Sequence, residues 1–137
     1  MNYMYIMNNF DILNINQMFQ LFRLTNNNVI FALVDTGVLE NTSRGTVTFS
    51  KENCLFNYNN NEINLFILKD DNYKVVTNAV KIPRSDIESM FVTTKSLSFD
   101  LKIVLKYGNF KISLYKDYNG FPNQRNMISN FKNIYKI

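Results

Sequence analysis

From Leu97 to Lys106 every second residue is apolar. Leu97, Phe99, Leu101, Ile103 and Leu105 alternate with Ser98, Asp100, Lys102, Val104 and Lys106. A period of two marks a strand with one face in a core. After Tyr107-Gly108 the alternation resumes with Phe110, Ile112 and Leu114, while Lys111, Ser113 and Tyr115 face the other way. The pattern predicts a hairpin inside the longer segment 80–116. A loop of two residues (Tyr107-Gly108) or of four (Lys106 to Asn109) gives one register. It sets Leu105 opposite Phe110, Ile103 opposite Ile112 and Leu101 opposite Leu114. A loop of about three residues would put Lys106 opposite Phe110 and break the apolar face, since a slip of one reverses every side chain. Tyr107 suits a positive-φ position poorly, which favours the four-residue loop with Gly108 left-handed.

Shorter apolar or alternating runs precede this hairpin. Val29 to Val34, Gly45 to Ser50, Cys54 to Tyr58 and Ile63 to Leu68 read as strands, and Tyr73 to Ile82 as an extended segment. Lys51-Glu52-Asn53 reads as a tight connection, and the asparagine runs at 26–28 and 59–61 as turns. Pro83 requires Ile82 to be extended, and 84–88 reads as a brief turn before Met90-Phe91-Val92. Two stretches have helical spacing. Met127, Ile128, Phe131, Ile134 and Tyr135 fall on one helix face, with Pro122 at a favourable first position. Residues 9–25 place Ile12, Ile15, Met18, Phe19 and Phe22 on one arc and Phe10, Leu13, Leu21 and Leu24 on a second, nearly opposite arc. A helix apolar on two sides is one buried on two sides, so Phe10, Leu13, Leu21 and Leu24 are candidates for contact with a partner or a second copy.

The 137 residues fit one domain, 1–137, with a helical extension over 1–28 and a β-rich body over 29–137 that ends in a helix at 122–136. Fifteen basic against eleven acidic residues give a net charge of +4, a mild excess. The outer side of the hairpin carries Lys102 and Lys106, with Lys111 across the turn, around Val104 and Tyr115. That face could meet an anionic partner, nucleic acid or an acidic protein surface. The single cysteine, Cys54, excludes an internal disulfide and a Cys-based zinc site and suits a reducing compartment. No run reaches the roughly 18 apolar residues of a membrane span, and the first ten residues lack a basic leader, so a cytoplasmic location is expected. The abundance of Asn, Ile, Lys, Phe and Tyr matches AT-rich codons, pointing to an AT-rich bacterium or its phage or plasmid.

The order of elements, together with three short stretches, resembles the pleckstrin-homology-like barrel in its bacterial or GRAM-type form. The stretches are Gly45 to Tyr58 (GTVTFSKENCLFNY), Ile82-Pro83 followed by Asp86-Ile87, and the helix from Pro122. The resemblance implies an α+β fold of about seven antiparallel strands, a barrel or bent sheet, closed by the C-terminal helix. Physics agrees, since curling protects sheet edges and an apolar helix face plugs the open end. A helix over residues 9–25 would be an addition to that family. Members that bind phosphoinositides carry several basic residues around the first hairpin loop. Here that loop has Asp35 and Glu40 with only Arg44, which argues against inositol lipids.

Catalytic chemistry is sparse. The chain has no histidine, four glycines and no phosphate-cradling glycine motif. Cys54 alternates within a strand and has no histidine to activate it. Asp86 and Glu88 are a single carboxylate pair without an assigned acid and base. No cofactor is expected. The sequence points to a non-enzymatic module that binds a protein partner, or itself, through the barrel edge or the N-terminal helix. The alternatives are a mobile-element inhibitor acting by steric contact and a weak nucleic-acid binder using the basic hairpin face.

Overall fold

The computed structural model describes residues 5–7, 13–14, 29–35, 51–68, 75–106 and 108–137. Nine strands and one helix lie among these residues, in chain order. They are β1 (Tyr5–Met7), β2 (Leu13–Asn14), β3 (Val29–Asp35), β4 (Lys51–Tyr58), β5 (Glu62–Leu68) and β6 (Val75–Pro83). A 3-10 turn, Arg84–Asp86, leads to β7 (Ile87–Thr94), β8 (Ser98–Leu105), β9 (Gly108–Tyr115) and α1 (Gln124–Tyr135). Among the described residues all pairings are antiparallel, in the order β1-β6-β5-β4-β3-β9-β8-β7, with β2 also on β6. The fold is α+β, as expected, with seven main strands from β3 to β9 and the helix at the C-terminus.

Two meanders, β3 to β6 and β7 to β9, are joined by β3 lying beside β9. β6 and β7 stand at opposite ends of the seven-strand path, yet only Arg84–Asp86 separates them. In a flat sheet six steps of about 4.8 Å would hold them about 29 Å apart. The link from Pro83 to Ile87 spans at most about 14 Å. The sheet is therefore strongly bent, but among the described residues β6 and β7 do not pair, so it is not closed.

The concave face forms the core. Ile30, Ala32 and Val34 of β3 meet Cys54, Phe56 and Tyr58 of β4. Leu101, Ile103, Phe110 and Ile112 come from the far hairpin. Ile128, Phe131 and Tyr135 of α1 fill the open mouth, with Met127 and Ile134 packed beside them. The Phe131 ring lies edge-on to Phe56 (5.0 Å between centroids) and Tyr58 (5.3 Å), an arrangement favoured by ring quadrupoles. Tyr58 Oη donates to the Met127 carbonyl (3.0 Å) and accepts from Asn130 Nδ2 (2.9 Å). Tyr135 Oη donates to the Asn59 carbonyl at 2.8 Å.

A second device ties α1 to the sheet. The β3–β9 ladder ends at Ala32 opposite Leu114, so Phe31 and Tyr115 would form its next rung. The buried side-chain amide of Gln124 enters there instead. Gln124 Oε1 accepts from Phe31 N (2.9 Å), and Nε2 donates to the carbonyls of Phe31 (2.9 Å) and Tyr115 (2.8 Å). Beside it Phe31 stacks on Tyr118, 3.8 Å between centroids. The Tyr118–Phe121 turn that carries this ring has Gly120 at φ +88°, the left-handed geometry of a type II turn.

Several expectations are corrected. The hairpin register is Leu105–Gly108, Ile103–Phe110, Leu101–Ile112 and Phe99–Leu114, two residues tighter than expected. A shift of two keeps the apolar face intact and adds pairs at the turn, leaving Gly108 in the strand. Leu97 belongs to the β7–β8 turn, where Lys95 N bonds the Ser98 carbonyl (2.8 Å), and it is exposed. Lys51-Glu52-Asn53 is no connection but the start of β4, opposite Asp35, Val34 and Leu33, so Gly45 to Tyr58 is not a hairpin turning there. Residues 45–50 lie outside the described residues. Pro122 precedes the helix by two positions, since Asn123 is the N-cap. Within residues 9–25, Leu13 and Asn14 form a strand opposite Val76 and Val75, not a helix. An open edge of β6 offers unpaired backbone groups, and ladder pairing there outweighs a helical pattern that lacks one distinct apolar face. The rest of that stretch lies outside the described residues.

Candidate functional site

The convex face of the β7–β8–β9–β3–β4 strands carries one continuous row of side chains. Phe91 is opposite Lys102, Lys102 opposite Lys111, Lys111 opposite Asp35, and Asp35 opposite Lys51. The alternation of β8 and β9 explains the outward lysines: their neighbours Leu101, Ile103, Phe110 and Ile112 must enter the core. Lysines directly opposite on adjacent strands repel. Among the described residues neither Lys102 nor Lys111 forms an ion pair.

The next row holds Thr93, Asp100, Ser113 and Leu33. Asp100 bonds the Lys95 ammonium at 2.8 Å and the Ser98 hydroxyl at 2.8 Å. Partial burial pushes its carboxyl up, but Lys95, Ser98 and Ser113 outweigh that and hold it below the usual carboxylate range. Together the two rows line a shallow groove of about 350 Å³ that contains four lysines against two aspartates.

β7 borders this groove and ends the sheet. Among the described residues it pairs with β8 alone. Every residue from Phe91 to Leu97 is exposed, and the apolar ones are Phe91 (59%), Val92 (40%) and Leu97 (77%). Natural edges are blunted by lysine, proline or a bulge. Here the bulge lies at the start of β7, between Ile87 and Ser89, and the run Met90 to Thr94 has no charge or proline. On the helix side a smaller groove, about 180 Å³, lies between Thr94 and Phe99 of the sheet and α1. It presents Lys116, Arg125 and Lys132. The Lys132 ammonium stands 5.1 Å from the centre of the Phe99 ring, and Arg125 is bound by Asp117 at 2.7 Å.

Of the residues singled out from sequence, Lys102 and Lys111 are brought together in the convex groove. Lys106 is exposed in the β8–β9 turn and does not line the groove. Leu13 lies in β2, and Phe10, Leu21 and Leu24 fall outside the described residues. Phe91, Lys51 and Lys95 were missed. The uncharged run from Met90 to Thr94 was the available sign of an unguarded edge, whereas Lys51 required the register of strands distant in sequence.

Cys54 is fully buried, and burial pushes its thiol well above the ordinary range, which leaves it without nucleophilic character. Among the described residues no group of three or more His, Cys, Asp or Glu could hold a metal ion. Among them, too, no helix is long and apolar enough to cross a membrane. No family model matches the chain, and no curated protein matches it.

Proposed function

We propose that the chain is a non-enzymatic interaction module that holds a segment of a partner protein along the β7 edge, on a pleckstrin-homology-like framework. The strand order, the bend at Arg84–Asp86 and the helix seated in the mouth support that framework. The observation that carries the binding reading is β7 itself. It is a terminal strand of eight residues whose second half is exposed, uncharged and partly aromatic. An extended peptide can pair its backbone with such an edge while alternate side chains set specificity. A photo-crosslinking residue in place of Phe91 should trap a partner in cells that encode the protein, and the same residue in place of Asn119 should not. Equal trapping at both positions would sink the reading.

A further inference from the structure

We infer that the segment held on β7 is acidic: an extended stretch alternating carboxylates with β-branched or apolar residues. The inference rests on the β7-edge reading above. A strand added to β7 places the residue opposite Phe91 on the convex face, in line with Lys102 and Lys111. Its Cα would lie about 10 Å from that of Lys102, two strand spacings, within the combined reach of a lysine and a glutamate. The other side of the strand would turn toward the helix-side groove with Lys116 and Lys132. Both flanks of the edge are thus positive. Asp100 is occupied by Lys95, and Arg125 by Asp117, while Lys102, Lys111 and Lys132 form no ion pair among the described residues.

A polypeptide fits this surface better than the other occupants do. A single-stranded nucleic acid along a groove is held by successive aromatic platforms, and the only exposed large aromatic among the described residues is Phe91. A second copy would bring β7 against β7, and that strand offers one carboxylate, Glu88, while the lysines of both copies converge. A partner strand with Glu or Asp on its convex side satisfies the backbone edge and the Lys102–Lys111 row at once and turns its apolar residues toward the helix-side groove beside Phe99. Complementary charge accelerates encounter and selects the partner.

The probes are fluorescent peptides of about ten residues, enough to span β7. One alternates Glu with Val, a second has Thr for Glu, a third has Lys for Glu, and an oligothymidylate of similar length is the fourth. Anisotropy at physiological salt should show the Glu peptide binding at least about tenfold more tightly than the Thr peptide. The double variant Lys102→Glu with Lys111→Glu, its fold verified by circular dichroism, should remove that preference and leave the Thr peptide unaffected. Hydrogen exchange at saturation should slow the amides of β7. Equal binding of the Glu and Thr peptides with β7 protected overturns the acidic partner and keeps the edge reading. Binding of the Glu peptide with β7 unprotected overturns the edge reading. Tighter binding of the oligothymidylate, a doubled mass in light scattering of the protein alone, or no binding of any peptide at millimolar concentration each overturns the inference.

Discussion

Replacing Gln124 with alanine should be among the costliest single changes outside the apolar core. Its amide makes three hydrogen bonds at 2.8 to 2.9 Å, two to Phe31 and one to Tyr115, and the residue is 2% exposed. At about 1 kcal/mol net for each bond, Gln124→Ala should lose about 3 kcal/mol. For a domain of this size that is about 10–15 °C in Tm. Gln124→Glu supplies a control of nearly identical shape. A carboxylate can accept from Phe31 N, but it faces the carbonyl oxygens of Phe31 and Tyr115, where the amide had donated. Burial and those two oxygens favour the protonated acid, so its folded pKa lies above the unfolded value of about 4.3. A raised carboxyl leaves stability intact below the unfolded pKa. Stability is then lost as pH rises toward the folded value and is flat beyond it. Urea unfolding of the wild type and both variants from about pH 4 to pH 8 reads this directly. If Gln124→Ala unfolds within about 1 kcal/mol of wild type, or if the Gln124→Glu deficit is the same at both ends of the pH range, the amide does not bridge β3 and β9 as described.

Three further outcomes are expected. Phe131→Ala should lose about 3–5 kcal/mol in urea unfolding, because Phe131 is fully buried against Phe56, Tyr58 and Tyr135; a loss under about 1 kcal/mol would mean α1 does not plug the sheet. The Cys54 thiol should react with a disulfide reagent only at the rate of global unfolding, and fast labelling of the native protein would contradict its burial. Burial raises the phenols of Tyr58 and Tyr135, the latter to about 12, with Glu62 adding to it and Arg84 opposing. Their contribution to stability should therefore be complete below the ordinary phenol value of 10.0 and decline as pH rises through the folded values. Tyrosinate absorbance rising near pH 10 for every tyrosine without loss of structure would refute that.

Much of the fold is legible in short-range periodicity, because burial imposes it residue by residue. The period of two in β8 and β9 follows from Leu101, Ile103, Phe110 and Ile112 entering the core. The spacing of Ile128, Phe131 and Tyr135 follows from one helix face entering the mouth. The register was not legible, since shifts of two preserve the same apolar face and the turn decides between them. Leu13 was misread for a related reason: an apolar pattern split over two opposite arcs suits more than one conformation, and β6 selected the strand. The candidate site was half legible. Lys102 and Lys111 share a strand face in the sequence itself, but Lys51 joins their row only because β3 lies between β9 and β4. The role of Gln124 has no sequence signature; one amide at a helix start gains its meaning from a rung two strands lack.

The placement of β3 beside β9 also sets how the protein should fold. Each meander closes through near neighbours in the chain, whereas Ala32 meets Leu114 only after nearly the whole domain has been organised between them. Non-local pairing of this kind slows folding toward the millisecond-to-second range. Closing the β3–β9 junction is then part of the rate-limiting barrier, and Gln124 locks it from the helix. Gln124→Ala should accordingly slow refolding by a substantial share of its free-energy change, read as a shift of the refolding limb of a chevron; a refolding limb left unmoved would place the junction after the barrier.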